Sequence, residues 1–91
     1  MGLSETLKAI SAPVRREILD YLKSRPKSAG EISQQFALAP ATVSHHLSTL
    51  RKAGLIEEEK QKNFIYYSLN LTVFEEILTW IQSLGGKEDE K

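Results

Sequence analysis

The chain has 91 residues, no cysteine and a formal net charge of zero at pH 7. Its 41% hydrophobic and 26% charged residues are typical of one folded domain and argue against a largely disordered chain. The absence of cysteine excludes disulfides and thiolate metal sites. No apolar run approaches the roughly 20 residues of a membrane span and no secretion signal is recognisable, so we expect a cytoplasmic protein.

The zero net charge hides an uneven distribution along the chain. Residues 11–54 carry seven basic and three acidic side chains, for a net charge of +4, whereas residues 55–70 carry −1 and residues 71–91 carry −3. Such a basic segment is what a nucleic-acid-binding protein needs, although a solvated helical surface can show the same bias.

A first helix is predicted by Leu3, Leu7 and Ile10, which lie three to four residues apart. Ser4 is of a residue type that caps helices and is expected to begin it. Because a helix this short is marginal in isolation, we expect it to dock on another surface.

A second helix is predicted from Pro13, which suits a first helical turn, to a point near Pro26. Arg15 and Arg16 stand at its start, where the helix dipole does not favour a cation. Either solvation with local pairing or a phosphate contact would explain these two arginines.

Two helices joined by a short connection follow. Ser28 and Glu31 have the spacing of a capping box at the start of the third helix, in which Ile32 and Phe36 face inward. The fourth helix starts so soon afterwards that the two must cross. The sequence therefore predicts a helix-turn-helix unit over residues 28–54, with a glycine at its end.

The fourth helix has one apolar face and one face of short polar side chains. Val43, Leu47 and Leu50 recur at helical spacing and predict the buried face. Small hydroxyl and imidazole groups can approach a rigid partner closely, which a helix in a DNA major groove must do. We therefore predict a DNA-recognition helix whose polar face includes Ala41, Ser44, His45, Ser48, Thr49 and Lys52.

A β-hairpin is predicted after the fourth helix, with strands at residues 55–60 and 64–69 and a turn at 61–63. A hairpin in this position is the wing of a winged-helix domain. An isolated hairpin is unstable in water, so the wing is expected to pack on the helices.

A fifth helix is predicted from a second capping-box spacing, Thr72 with Glu75, through Leu84. The expected fold is mainly α, a winged helix-turn-helix of five helices and a two-stranded wing over residues 1–86. Residues 87–91 form a charged tail.

The order and spacing of these elements resemble the ArsR family of bacterial winged-helix repressors. The matching segments are residues 9–19 (AISAPVRREIL), 41–47 (ATVSHHL), 50–56 (LRKAGLI) and 64–70 (FIYYSLN). The short chain, the missing cysteines and the last of these segments look most like the SdpR-like branch of metal-independent autorepressors. The resemblance implies regulation by release from DNA. In that branch a membrane protein sequesters the repressor, so a membrane anti-repressor is an implied partner.

The resemblance also implies a homodimer whose two recognition helices enter successive major grooves of a palindromic operator. Its interface would be formed by the first and last helices, residues 1–10 and 71–84. The last helix independently shows more apolar surface than one small core needs. The alternative is that both helices close the core of a monomer. The expected interface residues are Leu3, Leu7, Ile10, Phe74, Ile77, Leu78, Ile81 and Leu84.

Residues matching the DNA-contacting positions of the family are Ala41, Thr42, Ser44 and His45. His46 is either a half-buried histidine at the helix edge or a base reader. The wing departs from the family because acidic residues 57–59 stand where arginines are common, so limited minor-groove contact is expected. The full predicted DNA-binding set is Ala41, Thr42, Ser44, His45, His46, Ser48, Thr49, Arg51, Lys52, Lys60, Gln61 and Lys62.

Metal sensing, frequent in the family, is not expected here. Ser28 and Gly30 stand at the positions that match a cysteine pair in metal-sensing relatives, and the last helix has no histidine. His45 and His46 are the only histidines, and adjacent helical positions diverge by about 100°. We therefore predict neither a metal nor a cofactor.

The leading functional hypothesis is a transcriptional repressor. The alternative is a winged-helix module that binds proteins without DNA, which the acidic wing favours. An enzyme is not expected, because one helix directs Ser44 and His45 about 100° apart and no acid orients the imidazole. The chain also lacks a glycine-rich phosphate loop.

Overall fold

The computed structural model describes residues 2–85, so the predicted tail at 87–91 and the first and last residues of the predicted domain lie outside the described residues. These residues form five helices and a small antiparallel sheet, as the sequence predicted, with one more strand than expected. The elements are α1 (Leu3–Ile10), α2 (Pro13–Tyr21), β1 (Lys27–Ser28), α3 (Ala29–Phe36), α4 (Pro40–Lys52), β2 (Ile56–Gln61), β3 (Phe64–Leu69) and α5 (Leu71–Gly85).

The core lies where α2, α3 and α4 meet. Its largest fully buried side chains are Ile18, Ile32, Leu50, Leu55 and Val43. Burying a side chain of this size contributes about 1.5–3 kcal/mol relative to leaving it in water. Since the predicted apolar face of α4 is held in this core, its opposite face points outward.

The capping box at the start of α3 is confirmed. The hydroxyl of Ser28 accepts a hydrogen bond from the Glu31 amide at 3.2 Å, and the Glu31 carboxylate accepts one from the Ser28 amide at 2.9 Å. Arg25 Nη2 lies 2.8 Å from the same carboxylate. The Arg25 hydrogen bond, followed by the Ser28 amide, lowers the pKa of Glu31 to about 2.

The turn between α3 and α4 is fixed by local hydrogen bonds. Ala37 adopts a left-handed conformation at φ 53°, which ends α3. The Leu38 amide then donates to the Ser33 carbonyl at 3.1 Å, and the Ser33 hydroxyl donates to the Leu38 carbonyl at 2.6 Å. These contacts hold α3 and α4 at their crossing and so orient the outward face of α4.

The wing hairpin is confirmed, with its turn one residue shorter than predicted. Gln61 belongs to β2 and pairs with Phe64, leaving Lys62 and Asn63 as the turn. The strand that the sequence did not predict, β1, pairs antiparallel with β3 in the order β1-β3-β2. Two residues are too few to show an alternating pattern, so β1 is visible only through its pairing.

Lys27 of β1, one of the seven basic residues of the segment 11–54, is buried, at 3% exposure. Its ammonium group donates to the Tyr21 carbonyl at 2.6 Å and the Ser24 hydroxyl at 3.1 Å, and it lies 4.0 Å from the centre of the Tyr21 ring. Burial lowers the pKa of Lys27. The helix α2 ends at Tyr21, well before the predicted end near Pro26, and Lys27 bonds the carbonyl of that last residue.

The predicted caps of α1 and α5 are wrong. The N-cap of α1 is Gly2, without a side-chain hydrogen bond, so Ser4 lies inside the helix. The Asn70 side chain accepts a hydrogen bond from the Thr72 amide at 3.2 Å, and α5 begins at Leu71. In both cases the helix starts at least one residue before the predicted cap.

The predicted docking of α1 on another surface is confirmed. Thr6 is buried, and its hydroxyl lies 3.1 Å from the Ala53 carbonyl at the C-terminal end of α4. Ala9 is also buried in the core. The short first helix therefore lies against the helix predicted to read DNA.

Candidate nucleic-acid interface

The helix α4 begins without a side-chain cap. Ala39 is the N-cap and makes no side-chain hydrogen bond, while Pro40 occupies the first turn. The missing N–H of proline costs nothing there, because the first amides of a helix have no partner within it. Gly54, at φ 80°, follows the C-cap and ends the helix as predicted.

The outward face of α4 exposes short side chains. Ala41, Thr42, Ser44 and His45 are exposed, whereas Ser48 and Thr49 are half-buried. Short side chains let the helix backbone approach a partner closely, and the hydroxyls can donate to or accept from base edges and phosphates. The structure thus brings these predicted residues together on one surface.

His46 lies half-buried at the edge of α4, which is the first of the two alternatives that the sequence left open for it. Its Nδ1 is 3.3 Å from Arg15 Nη1, so the neutral ring accepts a hydrogen bond from the guanidinium. Burial, followed by the charge of Arg15, lowers the pKa of His46. The contact joins the start of α2 to the middle of α4.

The two arginines at the start of α2 are locally paired. Arg15 Nε donates to the Ala9 carbonyl at 2.6 Å and Nη2 reaches the Lys8 carbonyl at 3.4 Å. Arg16 Nη1 donates to the Ile10 carbonyl at 2.7 Å. The last carbonyls of a helix lack partners within it, and the negative end of the α1 dipole favours cations. Both side chains therefore satisfy the C-terminal end of α1.

The C-terminal turn of α4 is connected to the wing by an ion pair. Arg51 Nε lies 3.4 Å from the Glu58 carboxylate. Burial, and next the charge of Glu58, raises the pKa of Tyr67 on the neighbouring strand. Arg51, a member of the predicted DNA-binding set, is thus partly neutralised by an acidic residue of the wing.

Several basic side chains of the segment 11–54 are paired with carboxylates or buried within the fold. Lys23 lies 3.5 Å from Asp20, and Arg25 and Arg51 each have a carboxylate partner. Lys27 is buried. The net charge of +4 already includes Asp20 and Glu31, so it is the burial of Lys27 and the pairing of Arg51 with Glu58, outside the segment, that make +4 an overstatement of the positive charge near the outward face of α4.

The predicted wing contacts do not share one face. Lys60 pairs with Ile65 and Gln61 with Phe64, so their side chains lie on opposite faces of the hairpin. Lys62 is in the turn at φ 56°. Phe64, which the sequence analysis did not select, is 59% exposed beside Tyr66. Successive residues of a strand point to opposite faces, and this alternation places Phe64 on the same face as Tyr66.

The histidines and acids of residues 2–85 form no group of three or more that is placed to hold a metal ion. The rings of His45 and His46 have centroids 5.7 Å apart and are tilted by 56°. Over the same residues, no helix combines the length and apolarity needed to cross a membrane.

Comparison with known proteins identifies the family. Residues 12–58 match the family model described as bacterial regulatory protein, arsR family. The transcriptional repressor SdpR of Bacillus subtilis is 40% identical over 87 residues, which are 96% of this chain and 97% of that protein. The arsenical resistance operon repressor of Staphylococcus aureus is 33% identical over 76 residues, 84% of this chain and 73% of the relative.

The fold is shared with solved structures. An ArsR-like transcriptional regulator from Rhodococcus sp. RHA1 superposes with a TM-score of 0.84 over 91% of this chain and 78% of that chain, at 24% identity. This similarity concerns the fold alone. Together with the family match, it confirms the predicted winged helix-turn-helix.

Proposed function

The chain belongs to the ArsR family of bacterial regulatory proteins, DNA-binding transcription regulators, and from that premise we propose that it represses transcription as a homodimer on a palindromic operator. The observation that carries the proposal is the outward face of α4. This face exposes Ala41, Thr42, Ser44 and His45, while the opposite face of α4 is buried in the core. Such a rigid helix with short polar side chains fits a major groove.

The apolar surface of α1 and α5 supports the dimer. In α5 a single residue, Val73, is buried, while Leu78, Ile81 and Leu84 are 54%, 50% and 68% exposed. Leu3 and Leu7 of α1 are each 39% exposed. The remaining proposed interface residues, Ile10, Phe74 and Ile77, are partly buried against the core.

A groove of about 230 Å³ between α1 and α5 continues this apolar surface and is lined by Leu3, Ile77 and Trp80 among others. Large contiguous apolar patches on small proteins mark interaction sites. A second copy of the chain would cover the groove and the exposed leucines. In a twofold dimer the two α4 helices would lie about one DNA turn apart, roughly 34 Å.

The finer regulatory properties are part of the same proposal. We infer metal-independent repression, because the chain has no cysteine and residues 2–85 hold no group of three or more histidines and acids placed to bind a metal ion. A location in the cytoplasm, repression of its own gene and release by a membrane anti-repressor stay predictions. A multi-span membrane protein encoded under the same promoter would support the last two.

The test is a titration of the protein against duplex DNA from the promoter of its own gene, with an unrelated duplex beside it. Ser44→Ala and His45→Ala should each weaken operator binding, by up to about tenfold for one lost base contact. Lys23→Gln, at an exposed position outside α4 and outside the proposed interface helices, is the control and should bind as the wild type does. Equal binding by all four proteins would contradict the assignment of α4.

A protein-interaction module without DNA binding is the second candidate. The observation that favours it is the outer face of the wing, where Glu59 pairs with Tyr66 and Gln61 with the exposed Phe64. Acidic and aromatic side chains together fit a basic protein segment better than DNA. Salt-dependent, sequence-selective binding to the promoter would exclude this candidate.

A further inference from the structure

A second groove, between α1 and α4, lies directly beside the polar face of the recognition helix. It has a volume of about 410 Å³. The side chains that give it its chemistry are Glu5, Lys8, Arg15, His45, Thr49 and Lys52. We refer to it as the α1–α4 groove.

The α1–α4 groove carries more positive than negative charge. Lys8, Arg15 and Lys52 face a single acidic residue, Glu5. Among the described residues, none of these three cations lies within 4.0 Å of a carboxylate, whereas Lys23, Arg25 and Arg51 all do. Arg15 is anchored by backbone carbonyls and His46, so its charge is held in a fixed place.

The other flank of α4 has the opposite character. There Arg51 is paired with Glu58, and residues 57–59 of the wing are all acidic and exposed. The electrostatic attraction for a polyanion is therefore stronger on the α1 side of the helix than on the wing side.

The dimensions of DNA decide what meets the α1–α4 groove. The major groove is about 12 Å wide, and a helix with its side chains is about 10–12 Å across, so the helix fills it. Each flank of an inserted helix then faces one phosphate backbone. His45, Thr49 and Lys52 belong both to α4 and to the α1–α4 groove, so this groove opens towards one of those backbones.

We propose that the α1–α4 groove binds backbone phosphodiesters beside the half-site, with Lys8 of α1 and Lys52 of α4 as the cationic contacts. The inference rests on the proposed DNA binding and deepens it, because it assigns a contact to a helix outside the helix-turn-helix. It also accounts for how a chain with an acidic wing and no net charge attracts DNA: the attraction comes from the α1 side.

The experiment measures the affinity of wild-type protein and the Lys8→Gln variant for operator and unrelated duplexes over a range of salt concentrations. Each lost phosphate contact lowers the slope of log affinity against log salt by about 0.9. Lys8→Gln should show this decrease and lose affinity by the same factor on both duplexes, because phosphates carry no sequence information.

Lys23→Gln is the matched control, since Lys23 is an exposed lysine in the turn after α2, paired with Asp20 and outside the α1–α4 groove. Its salt slope should equal that of the wild type. Sedimentation of Lys8→Gln checks that its oligomeric state is unchanged, because Lys8 lies in a proposed interface helix. If the salt slope of Lys8→Gln equals that of the wild type, the inference is wrong. This holds even if the variant loses affinity because its oligomeric state has changed. Absence of any salt-dependent binding by the wild type would instead contradict the proposed function.

Discussion

Replacing Arg15 by methionine tests whether the Arg15 side chain stabilises the protein by bonding the carbonyls at the C-terminal end of α1. The substitution keeps much of the aliphatic stem but removes the guanidinium that bonds the Ala9 carbonyl at 2.6 Å and His46 at 3.3 Å. Ala9 is 1% exposed, so water has little access to its freed carbonyl.

The expected cost follows from that burial. A buried acceptor left without a partner costs about 1–3 kcal/mol. For a domain of this size each 1 kcal/mol lowers the melting temperature by about 4–8 °C. Arg15→Met should therefore melt at least about 4 °C below the wild type.

Arg16→Met provides the comparison. Arg16 is exposed and bonds one carbonyl, that of Ile10, so solvent can replace its hydrogen bond. A surface substitution of this kind usually changes stability by no more than about 0.5 kcal/mol.

The assay is urea unfolding of wild type and both variants at one protein concentration, since formation of the proposed dimer would make stability depend on concentration. Arg15→Met should have the lower midpoint with an unchanged slope. Equal destabilisation by the two variants would refute the claim that burial at Ala9 sets the cost.

Two further predictions concern pH and the wing. Burial, followed by the charge of Arg15, lowers the pKa of His46 in the folded protein, so the unfolded chain binds more protons and stability falls as the pH decreases below about 6.5 towards the folded pKa. Denaturant unfolding across this range should show the decline in wild type and in His45→Gln but not in His46→Gln, and an unchanged decline in His46→Gln would contradict the assignment. Lys62→Ala should lower the salt slope of operator binding by about one unit if the wing tip contacts the backbone, and an identical slope would remove that contact.

Much of the fold follows from short-range patterns in the sequence. The capping box of Ser28 and Glu31 and the spacing of Val43, Leu47 and Leu50 placed α3 and α4 correctly, because both features act within a few residues. The polar face of α4 follows from the same periodicity. Helix caps are harder to predict, because Asn70 and Thr72 are both residue types that cap helices. In the structure it is the Asn70 side chain that accepts the hydrogen bond at the start of α5.

The features that the sequence did not reveal depend on residues far apart in the chain. The strand β1 exists through its pairing with β3, and Lys27 is buried through contacts across a turn. Arg15 joins Ala9 to His46, which lies 31 positions further along the chain. The α1–α4 groove arises in the same way, because Lys8 reaches the recognition helix only after α1 docks at Ala53.

The central claim, that two copies read a palindromic operator with α4, is tested most directly by hydroxyl-radical footprinting on the promoter of the chain's own gene. The account predicts two protected blocks related by a twofold axis, with centres one helical turn apart, about 10–10.5 base pairs. Ser44→Ala should weaken both blocks together. A single block without twofold symmetry, or no protection at concentrations where the protein is dimeric, would contradict the account.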